Sequence, residues 1–148
     1  MRTLGRRSGG QALVEFALVL IPFVLLIMGI FDLGRGIYSS NGVTQAAREI
    51  ARVTAVHLCD TSSCTLGNSA ETLDVIATQA RMLPNFSASS VTIACSTIVD
   101  ETVTSTIFPC KSGNFIRVTV SVPFATLTPI LSMVAPTTLV STAHVEFP

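Results

Sequence analysis

Four cysteines, two histidines and one carboxylate embedded in an apolar run are the residues of this sequence whose chemistry stands apart. Cys59 and Cys64 bracket Asp60-Thr61-Ser62-Ser63, and Cys95 and Cys110 lie further on. Four cysteines permit three pairings. Joining neighbours in sequence gives Cys59–Cys64 and Cys95–Cys110, the first closing a small loop and the second tying a strand to a turn. His57 beside Cys59 and Cys64 raises zinc as a rival. No second histidine has suitable spacing, so no metal and no other cofactor is expected. Neither His57 nor His144 sits in a nucleophile motif. Asp100-Glu101 is an acid pair, but adjacent residues on a strand point to opposite faces, and the pair reads as a turn. Gly34-Arg35-Gly36 lacks the lysine and spacing of a phosphate loop. The sequence therefore predicts no enzyme.

The seventh residue of that set, Glu15, lies inside the stretch around which the chain is organised. From Ala12 to Phe31 there are 20 residues, and Glu15 is the only charged one. A helix of that length spans about 30 Å, the thickness of a bilayer's hydrocarbon core. Arg2, Arg6 and Arg7 precede the run with no acid among them. The positive-inside rule puts the N-terminus in the cytoplasm and the C-terminal portion outside, an oxidising setting that favours disulfides. A removable signal peptide has a shorter apolar region and a small-residue cleavage site, and Met28-Gly29-Ile30-Phe31-Asp32 offers neither.

A carboxylate approaching lipid costs about 2.5–3.5 kcal/mol on insertion scales. Glu15 either reaches back to the headgroups or has a partner. A cut between Gly10 and Gln11 would make Glu15 the fifth residue of the mature chain, one helical turn from a new α-amino group that could neutralise it.

Gly10-Gln11-Ala12-Leu13-Val14-Glu15-Phe16 resembles the type IV prepilin cleavage pattern. The segment Val14-Glu15-Phe16-Ala17-Leu18-Val19-Leu20, followed by Pro22, Asp32-Leu33-Gly34-Arg35, Tyr38, Val43 and Ala46-Ala47-Arg48-Glu49-Ile50-Ala51-Arg52, resembles the TadE-like family. These are minor pilins, or pseudopilins, of the Tad (Flp) tight-adherence pilus. The resemblance covers Gly9 to Val56, about a third of the chain; Ile50 stands where a small residue is usual. It implies cleavage at Gly10-Gln11, methylation at Gln11, an assembly role for Glu15, and helix packing by Asp32, Gly34, Arg35, Tyr38, Arg48, Glu49 and Arg52. It also implies partners: a prepilin peptidase, other Tad pseudopilins, the major Flp-type pilin and an inner-membrane assembly platform. The implied location is the bacterial inner membrane, single-pass, with incorporation into the pilus as a further destination. The alternative is a permanently anchored single-span protein with a disulfide-bonded external domain for adhesion or sensing.

Composition agrees with one small domain on an anchor. The chain has 148 residues, about one domain, and no formal net charge. Without residues 1–10 it keeps six basic and nine acidic side chains, which argues against nucleic acid. A mean hydropathy of +0.62 is largely the work of the anchor, whose partner is membrane lipid.

The expected organisation is a leader at residues 1–10, a long helix at 11–56 with its membrane segment at about 12–31, and a disulfide-bonded extracytoplasmic α+β domain at 57–148. Pro22 frees the carbonyl of Leu18 and should bend or loosen the helix. Asp32 and Arg35 sit at i,i+3, where side chains meet. Gly34 and Gly36 weaken the helix unless they admit a close neighbour. Val43, Ala46, Ala47, Ile50, Ala51 and Thr54 form a stripe of small residues at helical spacing. A second helix is expected from Asn68, with Asn68-Ser69-Ala70-Glu71 as its capping box; Leu73, Ile76, Ala77, Ala80 and Leu83 form its apolar face, and Pro84 closes it. Strands are expected at Val91–Ile98, at Phe115–Val122 with Ile116, Val118, Val120 and Val122 on one face, and at Thr138–Phe147. Ala125–Val134 reads as a short helix broken at Pro129. The predicted fold class is α+β and membrane-anchored: a long N-terminal helix packed on a small antiparallel sheet, pilin-like.

Overall fold

The computed structural model describes residues 9–57, 66–96, 110, 113–128, 131–133 and 135–146. Helix α1 runs unbroken over Gly9–Val56, through Pro22. A helix satisfies its backbone bonds within the segment, the requirement for crossing lipid. Residues 10–27 are exposed all round, and α1 is long and apolar enough to cross a membrane. The second half of the same helix is one wall of a core. Val43, Ala46, Ala47, Ile50, Ala51 and Thr54 are all buried, as their spacing predicts.

The opposite wall is a three-stranded antiparallel sheet in the order β1-β2-β3, with β1 at Val91–Ser96, β2 at Phe115–Pro123 and β3 at Thr138–Glu146. Its register aligns Ile93 with Val118 and Val118 with Ala143. Period-2 alternation turns Ile116, Val118, Val120 and Val122 of the central strand toward α1, and all four are buried. The other face carries Thr119 and Thr142, whose hydroxyls lie 3.3 Å apart. The chain is thus α+β, a long apolar helix with a small antiparallel sheet. The residues after Ser96 that the sequence assigned to the first strand, and Phe147 of the last, lie outside the described residues, as do the acid pair Asp100-Glu101, residues 1–8, and Cys59 and Cys64.

Helix α2 (Ala70–Met82) packs antiparallel beside α1. A Cβ at Gly42 would overlap the Leu83 side chain, so glycine there lets the two helices approach. The cap differs from expectation. Ser69, not Asn68, is the N-cap, its hydroxyl accepting from the Thr72 amide at 3.2 Å. The same hydroxyl donates to Thr72 Oγ1 at 2.8 Å, and Thr72 Oγ1 lies 3.4 Å from Thr54 Oγ1 of α1. The helix is thus capped one residue later than expected, and this hydroxyl chain turns Thr72 rather than Leu73 toward α1. Its inner face is accordingly Thr72, Ile76 and the cap residue Leu83, while Leu73, Ala77 and Ala80 are exposed. Glu71 in the first turn and Arg81 in the last complement the helix dipole.

The β2–β3 connection also departs from expectation. Among its described residues only Leu131–Met133 forms a helical turn, of the 3-10 type. Residues Ala125–Thr128 are not helical, and the amides of Leu127 and Thr128 go to a carboxylate on α1.

Cys95 and Cys110 form a disulfide, with Cα atoms 5.8 Å apart and a sequence separation of 15. Closing a loop of that size contributes about 3 kcal/mol in the chain-entropy model, and selective reduction should lower unfolding stability by that order. Ile50, fully buried, gives a second test. Ile50→Ala should cost about 2–5 kcal/mol in denaturant unfolding of the protein in micelles. Tyr38→Ala, at a site 69% exposed, should shift stability by no more than about 0.5 kcal/mol.

Candidate functional site

Two places on α1 carry the residues singled out by sequence. The first is its N-terminal turn. Gly10, Gln11 and Glu15 are exposed, and the Gln11 side-chain amide donates to Glu15 Oε1 at 3.1 Å. One helical turn therefore separates the Gln11 backbone from the Glu15 carboxylate. The Gln11 backbone nitrogen stands on the N-terminal side of that carboxylate.

The second place is the end of the apolar run. Asp32 is 3% exposed. Its Oδ1 accepts the Leu127 amide at 2.8 Å and its Oδ2 the Thr128 amide at 2.8 Å. Arg35 Nη1 lies 3.6 Å from Oδ1, and the Arg35 guanidinium stands 5.9 Å from the centre of the Phe124 ring. Phe124 Cζ in turn lies 3.6 Å from where a Cβ at Gly36 would be. The aspartate thus fastens the sheet's β2–β3 connection to α1 where the apolar run stops. The Leu127 amide is the main cause holding its carboxyl pKa below the ordinary value. Burial opposes that effect, and Thr128 and Arg35 reinforce it.

Beside this junction is a groove of about 690 Å³ between α1 and the connection, lined by Leu33, Ile37, Phe124, Leu131 and Leu139 among others. It is mostly apolar, with Asp32, Ser40, Asn41 and Thr126 as its polar lining. Among the described residues no three His, Cys, Asp or Glu side chains gather as metal ligands would.

The remaining sequence-selected positions face outward. Gly34, Tyr38 and Arg48 are exposed. A Cβ at Gly34 would meet nothing within 4 Å, so its own domain does not require glycine there. Glu49 and Arg52 pair with each other across one turn, Arg52 Nη2 at 2.8 Å from Oε1 and Nε at 3.3 Å from Oε2. The Arg52 hydrogen bonds keep the Glu49 pKa below its usual value, and Glu49 raises that of Arg52.

The sequence reading paired Asp32 with Arg35 but missed its two amide donors, and with them the role of the connection. One signal was present: between Arg117 and His144 there is no charged residue at all.

Asp32 contributes stability that is complete above the unfolded carboxyl pKa, near 3.8, and is lost as pH falls through the lower folded value. Hydrogen exchange at the Leu127 and Thr128 amides should therefore accelerate only in strong acid. Asp32→Asn, which leaves one acceptor oxygen for two donors, should accelerate exchange at one or both amides at neutral pH. Glu49→Gln should leave both protected.

Residues 10–52 match the family model TadE, described as TadE-like protein. The match lies wholly within α1 and includes both places described above. Comparison with curated proteins and with solved structures finds no match.

Proposed function

We propose that this chain, TadE-like along its long helix, is a minor pilin that takes part in assembling or priming a Tad (Flp) pilus used in surface adherence. The observation that carries the reading is where the match falls. It lies on one 48-residue helix whose second half is a wall of the core, while residues 10–27 are left bare. A subunit of this kind has a helix face for lipid first and for neighbouring subunits later. The family points to a structural component rather than an enzyme.

The finer steps follow from the same reading. A prepilin peptidase cuts between Gly10 and Gln11, removing Arg2, Arg6 and Arg7. The new α-amine, carried into an apolar assembly, needs a counter-charge to offset its desolvation. Glu15 is the only acid between Gln11 and Phe31 and supplies it, within one chain or between two. Gly34, Tyr38 and Arg48, which make no use of their exposure within the domain, are available to other Tad pseudopilins, the major pilin or the inner-membrane platform. The N-terminus lies in the cytoplasm and residues 57–148 form the external domain.

Two measurements test this. Intact mass should show a mature chain beginning at Gln11; retention of the three N-terminal arginines favours the permanently anchored alternative. Glu15→Ala should insert at least as well as the parent, since no charge approaches lipid. At matched membrane levels it should nevertheless co-purify poorly with the other pilins and support few pili. Normal piliation would remove the assembly role from Glu15.

A further inference from the structure

The β2–β3 connection runs down the side of α1 toward its N-terminus. Phe124 lies against Gly36, Leu127 and Thr128 bond to Asp32, and Leu131 reaches Gly29, its Cδ1 4.0 Å from where a Cβ would stand. Gly29 belongs to the apolar run that ends at Phe31, about 4.5 Å along the helix axis from Asp32. The lowest described part of the external domain is therefore level with the end of the membrane-crossing segment.

What the connection presents there is apolar. Leu127 is 60% exposed, Met133 90% and Leu131 36%. No charged residue occurs between Arg117 and His144, so no part of the connection resists contact with hydrocarbon by its charge. Asp32, at the same level, has its oxygens occupied by the Leu127 and Thr128 amides and stands 3.6 Å from Arg35. Both sides gain from the arrangement, since a bare carboxylate and unsatisfied amides are each unfavourable where water is scarce. Arg35, half exposed and one turn beyond, has the reach to hold its guanidinium at headgroup level.

We propose that the β2–β3 connection is a lipid-seating wedge: Leu127, Leu131 and Met133 enter the headgroup–acyl boundary of the outer leaflet beside α1. Asp32 holds the wedge to the helix and thereby fixes the height and tilt of the sheet above the bilayer. The occupant is lipid rather than a second copy of the chain because the patch is continuous with the membrane-crossing surface and overlaps its end. This rests on the reading of α1 as a membrane anchor.

The sequence contains no tryptophan, so a single introduced one is an unambiguous reporter. Full-length protein carrying Met133→Trp is reconstituted into phosphatidylcholine vesicles containing lipids brominated either near the headgroup or near the chain ends. Phe23→Trp, in the middle of the apolar run, reports on the anchor, and Glu71→Trp, at the far end of α2, reports on the aqueous side. Phe23→Trp should be quenched best by the deep bromines and Glu71→Trp by neither. Met133→Trp should have blue-shifted emission and lose about half of it to the shallow bromines, the depth expected of an interfacial apolar side chain. Quenching of Phe23→Trp with Met133→Trp no more affected than Glu71→Trp would overturn the wedge and leave the anchor standing. Blue-shifted Met133→Trp emission that ignores bromine and fades on dilution of protein in lipid would also overturn it, assigning the patch to a second copy. An unquenched Phe23→Trp would overturn anchor and wedge together.

Discussion

One helix has to satisfy two solvents, and the rest of the structure follows from where it changes from one to the other. Up to Ile27 every residue of α1 from Gly10 onward is exposed; from Val43 to Ala55 its inner stripe is as buried as any protein core. Between these lies about four turns of helix that belong fully to neither. Asp32 stands in this interval, and its carboxylate meets the domain through two backbone amides rather than through water. The bond is side chain to main chain, so it fixes the path of the β2–β3 connection without depending on that connection's side chains. A hydrophobic contact alone could slide along an apolar helix; two charge-assisted hydrogen bonds on one carboxylate set both height and rotation.

The upper half of the helix is held by different means. Small residues dominate its buried stripe, which lets β2 and β3 lie close against it. Helix α2 approaches at Gly42 and is registered by the Ser69–Thr72–Thr54 hydroxyls. Hydroxyls in a core are unfavourable unless paired, so this chain permits one register of α2 and disfavours a slip of one residue. The Cys95–Cys110 bond then secures the first strand, which lies on the far side of β2 from β3. Each element is thus placed by one directional interaction laid over non-directional apolar burial.

That division explains what could be read from sequence. Burial leaves a period, and so the apolar run, the stripe from Val43 to Thr54 and the alternation of Ile116, Val118, Val120 and Val122 were all legible. Directional contacts between distant residues leave none. Leu127 is 95 positions from Asp32, and a backbone amide has no residue type to betray it. The cap of α2 fell one residue off because Asn68 and Ser69 are both good caps, and the choice was made by Thr54 on another helix. The connection was read as a short helix broken at Pro129 because Ala, Leu, Ile and Met suit one locally, but residues Ala125–Thr128 are not helical. Among the described residues the helical part is confined to the turn at Leu131–Met133, and the Leu127 and Thr128 amides before it go to Asp32 instead. Gly10, Gln11 and Glu15 were legible as a motif, but the roles proposed for them involve other proteins, so one folded chain carries only its geometry.

The same division bears on how a pilin-like subunit could exchange lipid for protein neighbours. Met28 and Gly29 are the first residues of α1 that the domain shields. Nothing that places the sheet or α2 lies N-terminal to them among the described residues. Under the proposed assembly role, the bare half of the helix would exchange lipid for other helices without losing the contacts that place the sheet and α2. The Asp32 junction and the connection it holds are the part of the domain that such an exchange would reach. The junction's amide bonds would survive that exchange because both partners belong to this chain, whereas a junction held by apolar contact to a bilayer alone would dissolve on leaving it. A carboxylate at the boundary, expensive if left to the surroundings and stable once paired internally, would keep domain and helix in one geometry through such a transfer.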